Sequence, residues 1–318
     1  MNCRALAISI SICLGILGCS SSPSAPTAST GMGAPKPVIP VTPVAASEMP
    51  ALGKPAKYGK GVLKYEIDLP RDKPTNHVWV YLPDPMPKTK LPVILIAPPG
   101  TPLFLGNVMA PADEATHVPF ALAGFAVLAY ELDGYPGPER HSIREVLVEA
   151  HEFKESKAGL RNEQDALNFA LAKVPNLDKE RIYMVGHSSA GAHALLMTSQ
   201  DPRIKACVAF APVSEIANRM NQKTIAELEN YIKGYRNFIK WESPDSHISE
   251  LKCPIFIFQA KDDPIVSVSM NEDFAKKLSK ANKQVTLQLV EKGGHFDPMI
   301  QQGIPAAIKW LKGIGAKH

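Results

Sequence analysis

Arg181-Ile182-Tyr183-Met184-Val185-Gly186-His187-Ser188-Ser189-Ala190-Gly191 is an apolar run that meets a turn of small residues and continues into an Ala- and Leu-rich stretch. The pattern reads as a strand, a sharp turn and a helix, with a serine at the apex. A serine on such a turn stands clear of the sheet only if the residues two before and two after it are small. Gly186 and Ala190 satisfy that condition around Ser188, whereas Ser189 in the same role would place His187 at the crowded position. Ser188 is therefore the candidate nucleophile. No G-x-x-x-x-G-K-[ST] or G-x-G-x-x-G pattern occurs, so the turn does not read as a phosphate cradle.

On either side of this segment, runs rich in β-branched residues alternate with helical patterns, the signature of a mostly parallel sheet flanked by helices. Strands are expected at 62–69, 77–82, 93–97, 125–131, 182–185, 206–211, 255–259 and 285–290, eight in all. The first two alternate like an antiparallel ribbon, and the later ones are continuous apolar runs suited to burial on both faces. Residues 162–173 and 306–311 carry helical spacing. The stretch from Pro212 to Leu251, with Tyr231, Tyr235, Phe238 and Trp241, exceeds an ordinary connection. It reads either as a small helical cap or as surface helices packing their aromatics onto the sheet.

Strand, G-H-S-S-A-G turn and helix resemble the α/β-hydrolase superfamily, with Ala190 standing where a glycine is usual. The resemblance implies a catalytic order of Ser, Asp or Glu, then His. Chemistry asks for the same groups: a base to take the serine proton and a carboxylate to fix the base's tautomer and support its cation. Beyond the candidate acid only His295 and His318 remain, and His295 sits in Lys292-Gly293-Gly294-His295-Phe296, a loop after a predicted strand. His295 is the expected base. The acid comes from Gln259-Ala260-Lys261-Asp262-Asp263-Pro264-Ile265-Val266, where alignment with the superfamily segment points to Asp263, with Asp262 as the alternative. An oxyanion hole needs two backbone N–H donors. Ser189 would supply one; in Ala97-Pro98-Pro99-Gly100-Thr101-Pro102 the prolines have none, so Gly100 is favoured and Thr101 comes second.

Further segments, 201–206, 211–214, 243–248 and Cys253-Pro254, resemble the catalytic domain of prolyl-oligopeptidase-like serine hydrolases over about residues 60–313. The resemblance implies an ester or peptide substrate cleaved through an acyl-enzyme at Ser188. A binding protein that uses the hydrolase cleft without chemistry is the alternative. No cofactor is called for. His141, His151, Glu152, His187 and His193 form no H-E-x-x-H pattern and read as structural or solvated.

The N-terminal end reads as an address. Arg4 precedes the apolar run 5–17, too short to span a bilayer, and Ile16-Leu17-Gly18-Cys19 resembles a bacterial lipobox. Residues 1–18 are expected as a lipoprotein signal peptide and Cys19 as the lipidated residue. Residues 19–57 are expected as a Pro/Ser/Ala-rich tether, and 58–318 as the catalytic domain. This predicts a membrane partner through a lipid anchor at the bacterial cell envelope. Lys+Arg 35 against Asp+Glu 31, without a run of like charges, argues against nucleic acid. Five cysteines without zinc-ligand spacing argue against a structural metal, and Cys207 and Cys253 read as buried thiols more than as a disulfide.

Overall fold

The computed structural model describes residues 47–59, 61–70, 77–100, 103–138 and 141–315. The signal peptide, Cys19 and most of the tether lie outside these residues, as do Thr101 and His318.

The eight expected strands are present, β2 (Val62–Asp68), β3 (His77–Pro83), β4 (Leu91–Ile96), β5 (Ala126–Tyr130), β6 (Leu177–His187), β7 (Ala206–Phe210), β8 (Ile255–Ala260) and β9 (Val285–Val290). A two-residue strand, β1 (Ala56–Lys57), joins them at one edge. The sheet runs β1-β2-β3-β5-β4-β6-β7-β8-β9. β1, β2, β3 and β5 pair antiparallel, and every pairing from β5 across to β9 is parallel.

Alternation along the central strands divides the core into two layers, because successive side chains leave opposite faces. Val93 and Leu95 of β4, Ile182 and Met184 of β6, and Ile255 and Ile257 of β8 face one layer. It is covered by α2 (Ile143–Glu155), α3 (Leu160–Lys173), α4 (Ser189–Gln200) and α8 (Val268–Ala281). Ile94, Ile96, Tyr183, Val185, Phe256 and Phe258 face the other, covered by α1 (Glu114–Leu122) and α9 (Ile304–Gly315). Both faces are buried, which is why these strands read as unbroken apolar runs.

The stretch after β7 folds as α5 (Ile216–Arg219), α6 (Gln222–Tyr231) and α7 (Tyr235–Glu242). The aromatics of α7 pack inward while Tyr231 of α6 is exposed: Tyr235 and Phe238 are buried, Phe238 meets Phe153 of α2 edge-on at 6.0 Å, and the Tyr235 hydroxyl donates to Phe104 O at 3.2 Å. Cys207 and Cys253 are free thiols. Among the described residues, no helix is long and apolar enough to cross a membrane.

Candidate active site

At the end of β6 the chain turns through Ser188 at φ +58°, ψ −120°, a conformation that an L-residue adopts only when its surroundings impose it. Three backbone bonds impose it. Ser188 N–H donates to Phe210 O of β7 at 2.8 Å, and Ser188 O accepts from Gly191 and Ala192 N–H at 3.0 and 3.1 Å as α4 begins. The turn is tight enough that a Cβ on Gly186 would lie 2.0 Å from Ala190 O. Ala190 itself is buried without crowding the turn, so its methyl in place of the usual glycine fits the geometry.

The other candidates arrive from the neighbouring strand ends, the crevice where open α/β sheets place their sites. Asp263 follows β8, and its Oδ2 lies 2.7 Å from His295 Nδ1 in the loop after β9. Its Oδ1 accepts from Ile265 and Val266 N–H at 2.8 and 3.0 Å. Burial pushes the Asp263 carboxyl up, but the His295 bond and the two backbone donors outweigh it and hold the group below the usual carboxylate range. Asp262 does something else: it accepts from Gly294 and Gly293 N–H at 2.9 and 3.1 Å, and those donors keep it ionised. It pins the loop that carries His295. That loop needs Gly293, at φ +131°, because a Cβ there would come within 2.4 Å of the Pro298 ring.

Three further groups organise the site and were not assigned roles from the sequence. His187 packs on His295 with ring centroids 4.5 Å apart and donates Nε2–H to His295 O at 2.9 Å. Burial, together with His295 beside it, pushes His187 down to about 4, so it is neutral near pH 7. Its place in the turn motif was visible, but the reach to residue 295 was not. Gln259 donates to Asp263 Oδ2 at 3.2 Å and to Val266 O at 2.7 Å, and its carbonyl accepts from Asn271 at 2.8 Å. Its signal was its alignment with the superfamily's His-Gly. Asn107 donates to Pro99 O at 2.7 Å and steadies the loop after β4; nothing in the sequence marked it.

That loop brings Gly100 to Ser189, though not as an open donor. Gly100 N–H donates to Ser189 Oγ at 2.9 Å, so in this arrangement its N–H is engaged by the side chain of the other oxyanion-hole candidate. No hydrogen bond joins the Ser188 hydroxyl to His295; His187, which precedes Ser188, packs its ring at a tilt of 42° against His295. Catalytic hydrogen bonds are commonly loose before substrate binds. Among the described residues, no group of three or more His, Cys, Asp or Glu side chains is placed to hold a metal.

Sheet order, strained serine turn and an acid–histidine pair at the strand ends define an α/β hydrolase. Residues 78–296 match the model of the dienelactone hydrolase family. The chain belongs to that family and is a hydrolase. No curated protein sequence matches it significantly. Among solved structures it is similar to Est1E from Butyrivibrio proteoclasticus, at 18% identity and TM-score 0.55, over 79% of this chain and 99% of that one. Acetyl xylan esterase 1 from Thermoanaerobacterium sp. JW/SL YS485 matches at 14% identity and TM-score 0.56, over 84% and 90%. The acylaminoacyl peptidase of Pyrococcus horikoshii matches at 15% identity and TM-score 0.59, over 80% of this chain but 41% of the peptidase. At such identities the likeness is one of fold, and it is at this level that the prolyl-oligopeptidase-like resemblance finds its counterpart.

Proposed function

We propose that the chain is a serine hydrolase of small carboxylic esters, with Ser188 as nucleophile, His295 as base and Asp263 as its orienting acid. The observation that carries this reading is the combination of a serine held at φ +58° at the end of β6 with an Asp263–His295 bond at the ends of β8 and β9, on the same side of β6 in the sheet order. Asp263 accepts Nδ1–H, which leaves His295 Nε2 as the basic nitrogen. Ser188 Oγ attacks the ester carbonyl as its proton passes to Nε2; the alcohol departs with that proton, leaving the acyl-enzyme. Water, activated by the same nitrogen, adds to the acyl carbon and releases the acid and the Ser188 hydroxyl. Ser189 N–H at the head of α4 is the first donor to the developing oxyanion, and Gly100 N–H becomes the second when it leaves Ser189 Oγ.

An ester is favoured over a peptide because α5–α7, the segment among the described residues that is large enough to enclose a peptide, turns Tyr235 and Phe238 into the core. The esterase names among the structural neighbours support the same choice, and a lactone is an internal ester open to the same attack. A fluorophosphonate probe tests the reading: labelling lost in Ser188→Ala and retained in Ser189→Ala supports it, and the reverse moves the nucleophile. Faster turnover of a prolyl peptide than of p-nitrophenyl acetate would replace esterase by peptidase. The lipobox-like segment supports a second element of the proposal, anchoring of the mature chain to the cell envelope through lipid on Cys19. Equal palmitate incorporation into wild type and Cys19→Ala would remove it.

A further inference from the structure

Beside Ser189, between α4 and the end of α7, lies a small cavity of about 10 Å³, room for one water or one small substituent. Its walls are mostly apolar, and Ser189, His193 and Glu242 are its polar members. His193 is committed at both ring nitrogens. Ala158 O can only accept, so Nδ1 carries the hydrogen at 3.0 Å and Nε2 takes the Tyr130 hydroxyl proton at 2.8 Å. Ser189 Oγ holds Gly100 N–H. Glu242 is different: it is 5% exposed, and its Oε2 has no hydrogen-bond partner. Burial pushes its carboxyl well above the usual range, so it stands in the cavity wall as a neutral acid. A buried O–H donor without an acceptor is costly, and a ligand that offers an acceptor recovers that cost.

The cavity's position says what such a ligand would be. Ser189 follows the nucleophile in the chain and lines the cavity, and its Oγ holds Gly100 N–H, so the cavity lies beside both oxyanion-hole candidates. We propose that this cavity is the floor of the acyl site and that Glu242 donates a hydrogen bond to the far end of a short acyl group. The substrate class is then esters of two-carbon hydroxy acids, glycolyl in particular, whose hydroxyl oxygen accepts the Glu242 proton. The inference rests on the serine-hydrolase reading above. It makes Glu242 a specificity-determining residue: a site built to pair a substrate hydroxyl discriminates against an isostere that lacks one.

Glycolyl and propionyl groups are isosteric, so phenyl glycolate and phenyl propionate form the test, each rate normalised to its hydroxide-catalysed hydrolysis. Wild type should favour glycolate in kcat/KM by about tenfold or more. Glu242→Leu should abolish or reverse the preference, and Glu242→Gln, which keeps an N–H donor, should retain part of it. Fluorophosphonate labelling of Ser188 reports which of the three are folded with a reactive nucleophile. A normalised wild-type ratio near one, with labelling intact, overturns the inference while leaving the serine-hydrolase reading standing, and needs no variant to fold. A strong glycolate preference that survives in folded Glu242→Leu also overturns it. Absence of both labelling and ester turnover removes the serine-hydrolase reading and the inference with it.

Discussion

Ser188 holds a backbone conformation that glycine tolerates and other residues resist, at a cost of roughly 1–3 kcal/mol for a non-glycine residue. Removing the nucleophile in two ways separates chemistry from strain. Ser188→Ala and Ser188→Gly should both be inactive, but the glycine variant sheds the Cβ conflict while adding chain entropy of roughly 0.5–1 kcal/mol. The net expectation is that Ser188→Gly is the more stable of the two by about 1 kcal/mol, read as a higher midpoint in thermal unfolding. An alanine variant as stable as the glycine one would mean that the turn stores no strain. Next to it, Ser189 carries a separate load. Its Oγ ties Gly100, 89 residues away, to the head of α4, so Ser189→Ala should lower kcat by about tenfold while KM changes little, as expected when the loop after β4 loses its tie to the nucleophile turn.

Helix α2 shows how an element's ends sustain the site from a distance. Ser142 Oγ accepts from Glu145 N–H at 3.3 Å, and Glu145 Oε2 accepts from Ser142 N–H at 2.7 Å, a reciprocal cap written in the sequence as Ser-x-x-Glu. Ser142→Ala should cost about 1 kcal/mol in chemical denaturation. Through Phe153, which meets Phe238, that loss weakens the seat of α7. Elements of this kind are legible locally. The apolar runs at β4, β7 and β8 named their strands because burial on both faces leaves no polar position, and the small-residue turn around Ser188 named the elbow. Less legible were β1, whose two residues carry no period, and the first turn of β6, where Asp178, Lys179 and Glu180 look like a loop. Order along the chain pointed to residues 263 and 295, since a strand-end acid and a glycine-flanked histidine are local patterns. The His187–His295 contact, the Gly100–Ser189 bond and the Glu242 cavity were hidden because each joins segments that only the finished sheet brings together.

Across the whole molecule, buried titratable groups set the pH range in which the fold is stable. Burial pushes His117 down to about 3, and both its ring nitrogens lack partners; burial likewise carries His187 and His193 down to about 4. An unfolded chain protonates these rings below about pH 6.5, whereas the folded one does not until near 4 or 3. The unfolded state therefore binds more protons in that window, and this contribution destabilises the fold as pH falls from about 6.5. Buried Glu163 and Glu242 act in the opposite sense, since they stay protonated in the fold after the unfolded chain has released those protons. His117→Phe isolates one member of the set. Relative to wild type it should gain about 2 kcal/mol between pH 7 and pH 5, measured by urea unfolding; an unchanged difference would mean that His117 is protonated in the fold.

The sheet's far edge has a consequence of another kind. Among the described residues β9 pairs with β8 on one side only, and its sequence, Val-Thr-Leu-Gln-Leu-Val, is uncharged, free of proline and rich in β-formers. Such a strand is a template on which another copy's backbone can continue the ladder. Lys283 before it and Glu291 and Lys292 after it bracket the stretch with charge, the guards that keep crowded molecules from zipping together edge to edge. Replacing Lys283, Glu291 and Lys292 together by neutral residues should speed aggregation at high concentration, read by light scattering, and an unchanged rate would mean that these charges do not guard the edge.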